Sequence, residues 1–153
     1  MKIALPSLKQ EQDYSCVPAC IRIVLSHYGV ELTEERICAA CQTTPRGTDQ
    51  QDAARGIISL GFEAAKLKAA KPDDIIKFLG QNQPVIAIIG VEHLPYGGQY
   101  DTHAIVVNGL ERNQVSFIDP ARGEEIEISL NTFLRAWQAR RCLGLVIKPQ
   151  KFE

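Results

Sequence analysis

The sequence predicts an α+β fold, with N-terminal helices packed on a C-terminal antiparallel sheet. Two observations carry this expectation. Up to Gly61 the apolar residues recur at helical spacing between cap-type residues and glycines. Beyond Pro84 they gather into short runs rich in Ile and Val, separated by turn residues. Helices first and strands later is the order of an α+β domain rather than of alternating βαβ units.

Each element follows from local signals. Ser15 or Asp13 can cap a helix over Val17–Tyr28, with Pro18 in the first turn, where its missing N–H costs nothing, and Gly29 placed to end it. Thr33 caps a second helix through Cys41. A third starts at Thr48 or Asp49 and ends at Gly61, and a fourth covers Pro72–Asn82. Strands are expected at Phe62–Leu67, Pro84–Val91 (PVIAIIGV), His103–Gly109 (HAIVVNG), Val115–Asp119 (VSFID), Glu125–Ile128 and Leu143–Lys148. The stretch Leu110–Gln114 (LERNQ) joins two of them, and Ser129 caps a last helix over Leu130–Arg140.

The 153 residues suit a single domain, 1–153, with 45% hydrophobic and 23% charged side chains. A net charge of −1 and the lack of any Lys/Arg cluster longer than a pair argue against a nucleic-acid partner or an acidic membrane surface. The longest apolar run, Pro84–Val91, falls far short of the about 20 residues that span a bilayer. The N-terminus lacks a signal-peptide core. A cytoplasmic protein with no direct membrane insertion is the expectation. The five cysteines, Cys16, Cys20, Cys38, Cys41 and Cys142, then read as free thiols. Cys38-x-x-Cys41 is half of a zinc pattern, but no second pair of comparable clarity completes it, so packing is the preferred reading.

Cys16 stands where the first helix begins. Unpaired N–H groups and the helix dipole there favour a thiolate, the reactive form of cysteine. A buried structural cysteine would occupy the same position, and position alone does not choose. Cys20, one turn on, lacks the terminal N–H groups and reads as packing. A thiol nucleophile needs a base, and there are three histidines. His27 lies at the far end of the same helix, about 16 Å away at 1.5 Å per residue. His93 opens the loop HLPYGGQYD, which reads as surface. His103 opens one strand and Asp119 ends the next, so a hairpin sets them across from one another or on a near diagonal. Such an Asp can accept from one imidazole nitrogen and leave the other for a thiol. A strand-edge histidine beside a turn-forming Asp119-Pro120 would also account for the pair. For an oxyanion donor beside the Cys16 N–H, Gln10 and Gln12 are both available.

Taken together, Gln10–Gly29 (QEQDYSCVPACIRIVLSHYG) and Thr102–Gly123 (THAIVVNGLERNQVSFIDPARG) resemble the C39 peptidases, the double-glycine or bacteriocin-processing cysteine peptidases. The two segments cover about a quarter of the chain. The resemblance implies a papain-like fold with Cys16 as nucleophile, His103 as base, Asp119 as its orienting partner and Gln10 as the oxyanion glutamine. It implies no cofactor and no metal. The substrate implied is a peptide or protein, in the family a leader cut after Gly-Gly. Where transporter-linked members often carry Gly after the nucleophile, this chain has Val17 and then Pro18, so cleavage preference transfers less directly than the catalytic residues. The chain carries no membrane span or P-loop, so any ABC transporter partner is expected to be a separate protein. Two other classes use the same residues: a leader-binding module that does not cut, and a papain-like acyltransferase or amidase that resolves the acyl-enzyme with another nucleophile.

Overall fold

The computed structural model describes residues 2–98 and 101–150. Its elements follow the expected order. Helix α1 covers Cys16–His27, α2 Glu34–Ala40 and α3 Gln50–Ser59. Strand β1 (Glu63–Leu67) and helix α4 (Pro72–Gly80) come next, then β2 (Val85–Gly90) and one 3-10 turn (Val91–His93). Strands β3 (Thr102–Glu111), β4 (Gln114–Asp119) and β5 (Glu124–Ser129) form a meander. Helix α5 (Leu130–Gln138) and strand β6 (Gly144–Lys148) close the chain.

Local chemistry explains the boundaries. Asp49 accepts from Asp52 N at 2.8 Å and Ser129 from Thr132 N at 3.2 Å, each satisfying a free amide of a first helical turn. Thr33 does the same for Arg36 N at 3.1 Å. Helix α1 ends in a Schellman arrangement: Val30 N donates to Leu25 O and Gly29 N to Ser26 O, both at 2.9 Å. Gly29 takes φ +81° there. Ser15 departs from expectation. It sits in the N-cap position, yet its hydroxyl makes no cap bond and instead donates to Glu34 Oε2 at 2.8 Å. The β3–β4 hairpin is tighter than LERNQ suggested, turning on Arg112 and Asn113 alone, both at positive φ.

The six strands form one sheet in the order β1-β6-β2-β3-β4-β5, with every pairing antiparallel. Helices α1 to α3 cover one face, where Ile21, Val24, Ile37 and Ile57 pack on Ile86, Ala104, Val106 and Ile118. Helices α4 and α5 cover the other, where Ile75, Phe133 and Trp137 pack on Val85, Ile105, Val107 and Phe117. Burial on both faces is why PVIAIIGV is apolar without alternation. The layer behind the sheet was not part of the sequence expectation. Its helices lie after β1 and after β5, interleaved with strands rather than grouped ahead of them.

Among the described residues no helix is long and apolar enough to cross a membrane.

Candidate active site

Cys16 is the first residue of α1. The first intrahelical bond is Ala19 N to Ser15 O at 2.9 Å, and Pro18 has no N–H. The helix therefore leaves the Cys16 and Val17 amides without intrahelical acceptors beside the thiol. Val17 itself is buried among the α1-side core residues.

His103 and Asp119 come together as the hairpin predicts. His103 Nε2 lies 2.6 Å from Asp119 Oδ1, with the two side chains only 12% and 2% exposed. The pairs Val106↔Ile118 and Val107↔Phe117 continue to set Asp119 opposite Ile105, so His103 lies two residues further along the same strand face. With Nε2 engaged, Nδ1 is the nitrogen left for the thiol. Burial alone would lower the imidazole pKa. Hydrogen bonds to Asp119 and to Cys16, with the charges of both, outweigh it and raise the pKa to about 9. Asp119 moves the opposite way. Burial would raise its pKa, but bonds from His103, Tyr96 and Ala121 N hold it below the ordinary value.

The turn after β4 builds the other wall. Asp119 Oδ1 also accepts from Ala121 N at 2.9 Å, while Asp119 O receives Arg122 N and Gly123 N at 3.1 and 2.8 Å. Pro120 O accepts from Gln10 N at 2.8 Å, which ties the N-terminal segment to the Asp119 turn. Gln10 thus joins the site, but its amide is already engaged. Nε2 donates to Gln12 O at 2.8 Å and to Asp13 O at 3.2 Å, while the buried Oε1 has no partner. Gln12 contributes its backbone to this network. A cavity of about 510 Å³ opens here, lined by Gln10, Leu94, Tyr96, His103, Asp119 and Arg122 among others.

The remaining candidates fall elsewhere. His27 closes α1 at its far end, 3.2 Å from Asn82 O, and His93 is exposed. Cys20 is completely buried, and burial pushes its thiol pKa well up, with the Cys16 charge adding to it. Cys41 is buried against Gly56, where a Cβ would meet its sulfur, and burial raises its pKa to about 12. Of the loop His93–Asp101, Gln99 and Tyr100 lie outside the described residues.

Two residues at the site escaped the sequence reading. Tyr96 donates its hydroxyl to Asp119 Oδ2 at 2.6 Å. Glu34 is 1% exposed and accepts from Ser15 Oγ at 2.8 Å and Glu11 N at 2.7 Å, bracing the segment between Gln10 and Cys16. Burial raises the Glu34 pKa despite these donors. In the sequence, Glu34 is an acid in the first turn of a helix capped by Thr33, which the helix dipole already explains. Tyr96 belongs to a loop with no periodicity at all.

Residues 4–150 match the Peptidase C39 family. The lactococcin-G-processing and transport ATP-binding protein LagD of Lactococcus lactis subsp. lactis is 30% identical over 128 residues, which are 84% of this chain. The match takes in only 17% of that relative's length. Solved structures agree in fold. A C39-like structure from Bacillus anthracis superposes with a TM-score of 0.81 at 14% identity, covering 99% of this chain and 100% of the other. A double glycine motif protease from an AMS/PCAT transporter, in complex with its leader peptide, gives 0.77 at 20% identity, covering 97% and 94%. The peptidase domain of Streptococcus ComA, a bi-functional ABC transporter, gives 0.73 at 23%, covering 97% and 98%. The sheet, the helix arrangement and the sequence match lead to one assignment: the chain belongs to the Peptidase C39 family.

Proposed function

We propose that this chain is a cysteine peptidase that hydrolyses a peptide bond after a Gly-Gly leader sequence. The observation that carries the reading is the 2.6 Å contact of His103 Nε2 with buried Asp119, on a ring whose pKa Cys16 and Asp119 together raise. An imidazole with one nitrogen tied to a carboxylate and the other facing a thiol can hold a thiolate–imidazolium pair.

In the proposed cycle the Cys16 thiolate attacks the scissile carbonyl, forming the S–C bond as the carbonyl oxygen takes up charge. The Cys16 amide and the Gln10 side chain stabilise that oxyanion. Gln10 can do so only by releasing one amide hydrogen, and the 3.2 Å bond to Asp13 O is the longer of its two. The His103 imidazolium gives its proton to the leaving amine as the C–N bond breaks. The neutral ring then takes a proton from water, whose oxygen attacks the acyl-enzyme and frees Cys16. Asp119 stays ionised throughout and keeps Nε2–H directed at itself.

Residues 1–153 act as one peptidase domain in this reading, in the cytoplasm, on a peptide or protein substrate. A separate ABC transporter would export the product. The lactococcin-G-processing and transport relative, and the double glycine motif protease found with a leader peptide, support the peptide substrate. The test incubates the purified chain with a peptide carrying a Gly-Gly leader and follows product mass. Hydrolysis after Gly-Gly is the expected result. Tight binding without product would mark a binding module, and a product extended by an added amine would mark an acyltransferase.

A further inference from the structure

We propose that Tyr96 is a positioning residue for the candidate site, its hydroxyl holding Asp119 in the orientation that meets His103. The inference rests on the reading of Cys16, His103 and Asp119 as one catalytic unit.

A carboxylate offers two oxygens, and its terminal torsion is broad and roughly two-fold, so one bond leaves it free to turn. At Asp119 the two ends are divided. Oδ1 accepts from His103 Nε2 at 2.6 Å and from Ala121 N at 2.9 Å, while Oδ2 accepts from Tyr96 at 2.6 Å. Tyr96 is the donor to Oδ2, and rotation of the carboxylate would break its bond and the His103 bond together. Charge-assisted O–H donors of this length are among the stronger hydrogen bonds in proteins.

The hydroxyl is itself held. Tyr96 follows buried Leu94, and Gly97 closes the turn, with Gly97 N donating to Leu94 O at 3.1 Å and φ at +70°. The Arg122 guanidinium stacks over the ring at 4.9 Å from its centre. Burial, followed by the Asp119 contact, raises the Tyr96 pKa, so the phenol remains a donor wherever Asp119 is ionised. The ring also walls the cavity. A purely covering role belongs to the ring, and a positioning role belongs to the hydroxyl. Tyr96→Phe separates them.

The experiment compares wild type, Tyr96→Phe and Tyr28→Phe. Tyr28 is a matched control: its half-buried hydroxyl donates to Ile147 O at 2.7 Å, at the opposite end of α1 from Cys16. The readouts are the pH titration of the Asp119 carboxyl carbon by NMR in labelled protein, and kcat and KM on a leader peptide. In Tyr96→Phe the Asp119 titration moves up by about half a pH unit or more, because an anion has lost a donor. kcat falls about 3- to 30-fold with KM within about twofold. Tyr28→Phe melts at lower temperature and leaves both readouts unchanged. An Asp119 titration that is the same in Tyr96→Phe as in wild type overturns the proposal, as does an equal loss of kcat in the two variants. If wild type cleaves nothing, the peptidase reading fails, yet the Asp119 titration still decides whether Tyr96 controls that carboxylate.

Discussion

His103 and Asp119 meet across 2.6 Å because β3 carries one residue more than its partner between Val107 and Gly109. Near the turn the register runs Gly109↔Ser116, Leu110↔Val115 and Glu111↔Gln114. Continued unbroken, it would set Asp119 opposite Val106, which alternates onto the other strand face from His103. The bulge at Asn108 moves every later pair by one, so Asp119 falls opposite Ile105 and on the face of His103.

The bulge is braced by its own side chain. Buried Asn108 donates its side-chain amide to Ile3 O at 2.8 Å and to Glu125 Oε1 at 2.7 Å, and its backbone carbonyl accepts from Ile3 N at 2.7 Å. Asn108→Ala should cost about 1–3 kcal/mol by removing the side-chain donor to the carbonyl of buried Ile3. The apolar residues of both sheet faces still enforce the register, so activity per folded molecule should fall far less. Denaturant unfolding and active-site titration check the two halves separately.

Cys16→Ala should reduce cleavage by about 10⁴-fold or more with the fold intact. Cys20→Ala should leave cleavage in place while costing about 1–2 kcal/mol, since it removes a sulfur from a fully packed position. Alkylation should label Cys16 faster than Cys142, whose thiol is pushed up in pKa by burial. Peptide mapping after brief iodoacetamide exposure gives the order. Labelling of Cys142 at an equal rate would count against the nucleophile.

The pH dependence has a definite sign. The folded-state pKa of His103, about 9, lies above its ordinary 6.5. Its contribution to stability is thus fully present below about pH 6.5 and is lost as the pH rises through about 9. Asp119 behaves oppositely: its depressed pKa contributes above the ordinary 3.8 and is lost as the pH falls. Wild type should lose stability between about pH 6.5 and 9 relative to His103→Ala. In Cys16→Ala the imidazole should titrate below 9, because one of its hydrogen-bond partners is gone. Imidazole NMR across the range measures it.

Glu34→Ala should cost about 1–3 kcal/mol, because Ser15 Oγ and Glu11 N lose their shared acceptor. It should also slow cleavage, since the freed segment carries Gln10 and leads into Cys16. Glu34→Gln keeps an acceptor oxygen without burying a charge, so it should retain more of both. Parallel melts and kcat values of the two variants test this. Equal damage from both would show that the charge, not the acceptor, holds the segment.

The sequence by itself determined where the elements lie and what stands at their ends. Caps such as Asp49 and Ser129, the Gly29 stop and the Ile/Val runs are signals contained within a few residues, and the structure keeps them within two positions. Cys16 at a helix start and His103 beside Asp119 were legible for the same reason: a helix end and a short hairpin are local geometry. Tertiary structure alone decided the rest. Tyr96 reaches Asp119 across a sequence separation of 23 residues, and Glu34 reaches Ser15 across 19. Neither contact leaves a periodic trace, because each depends on how separate elements dock. The second helical layer and the Asn108 bulge belong with them. Burial on both sheet faces sets the strand register, and that register decides which polar side chains meet at its edge.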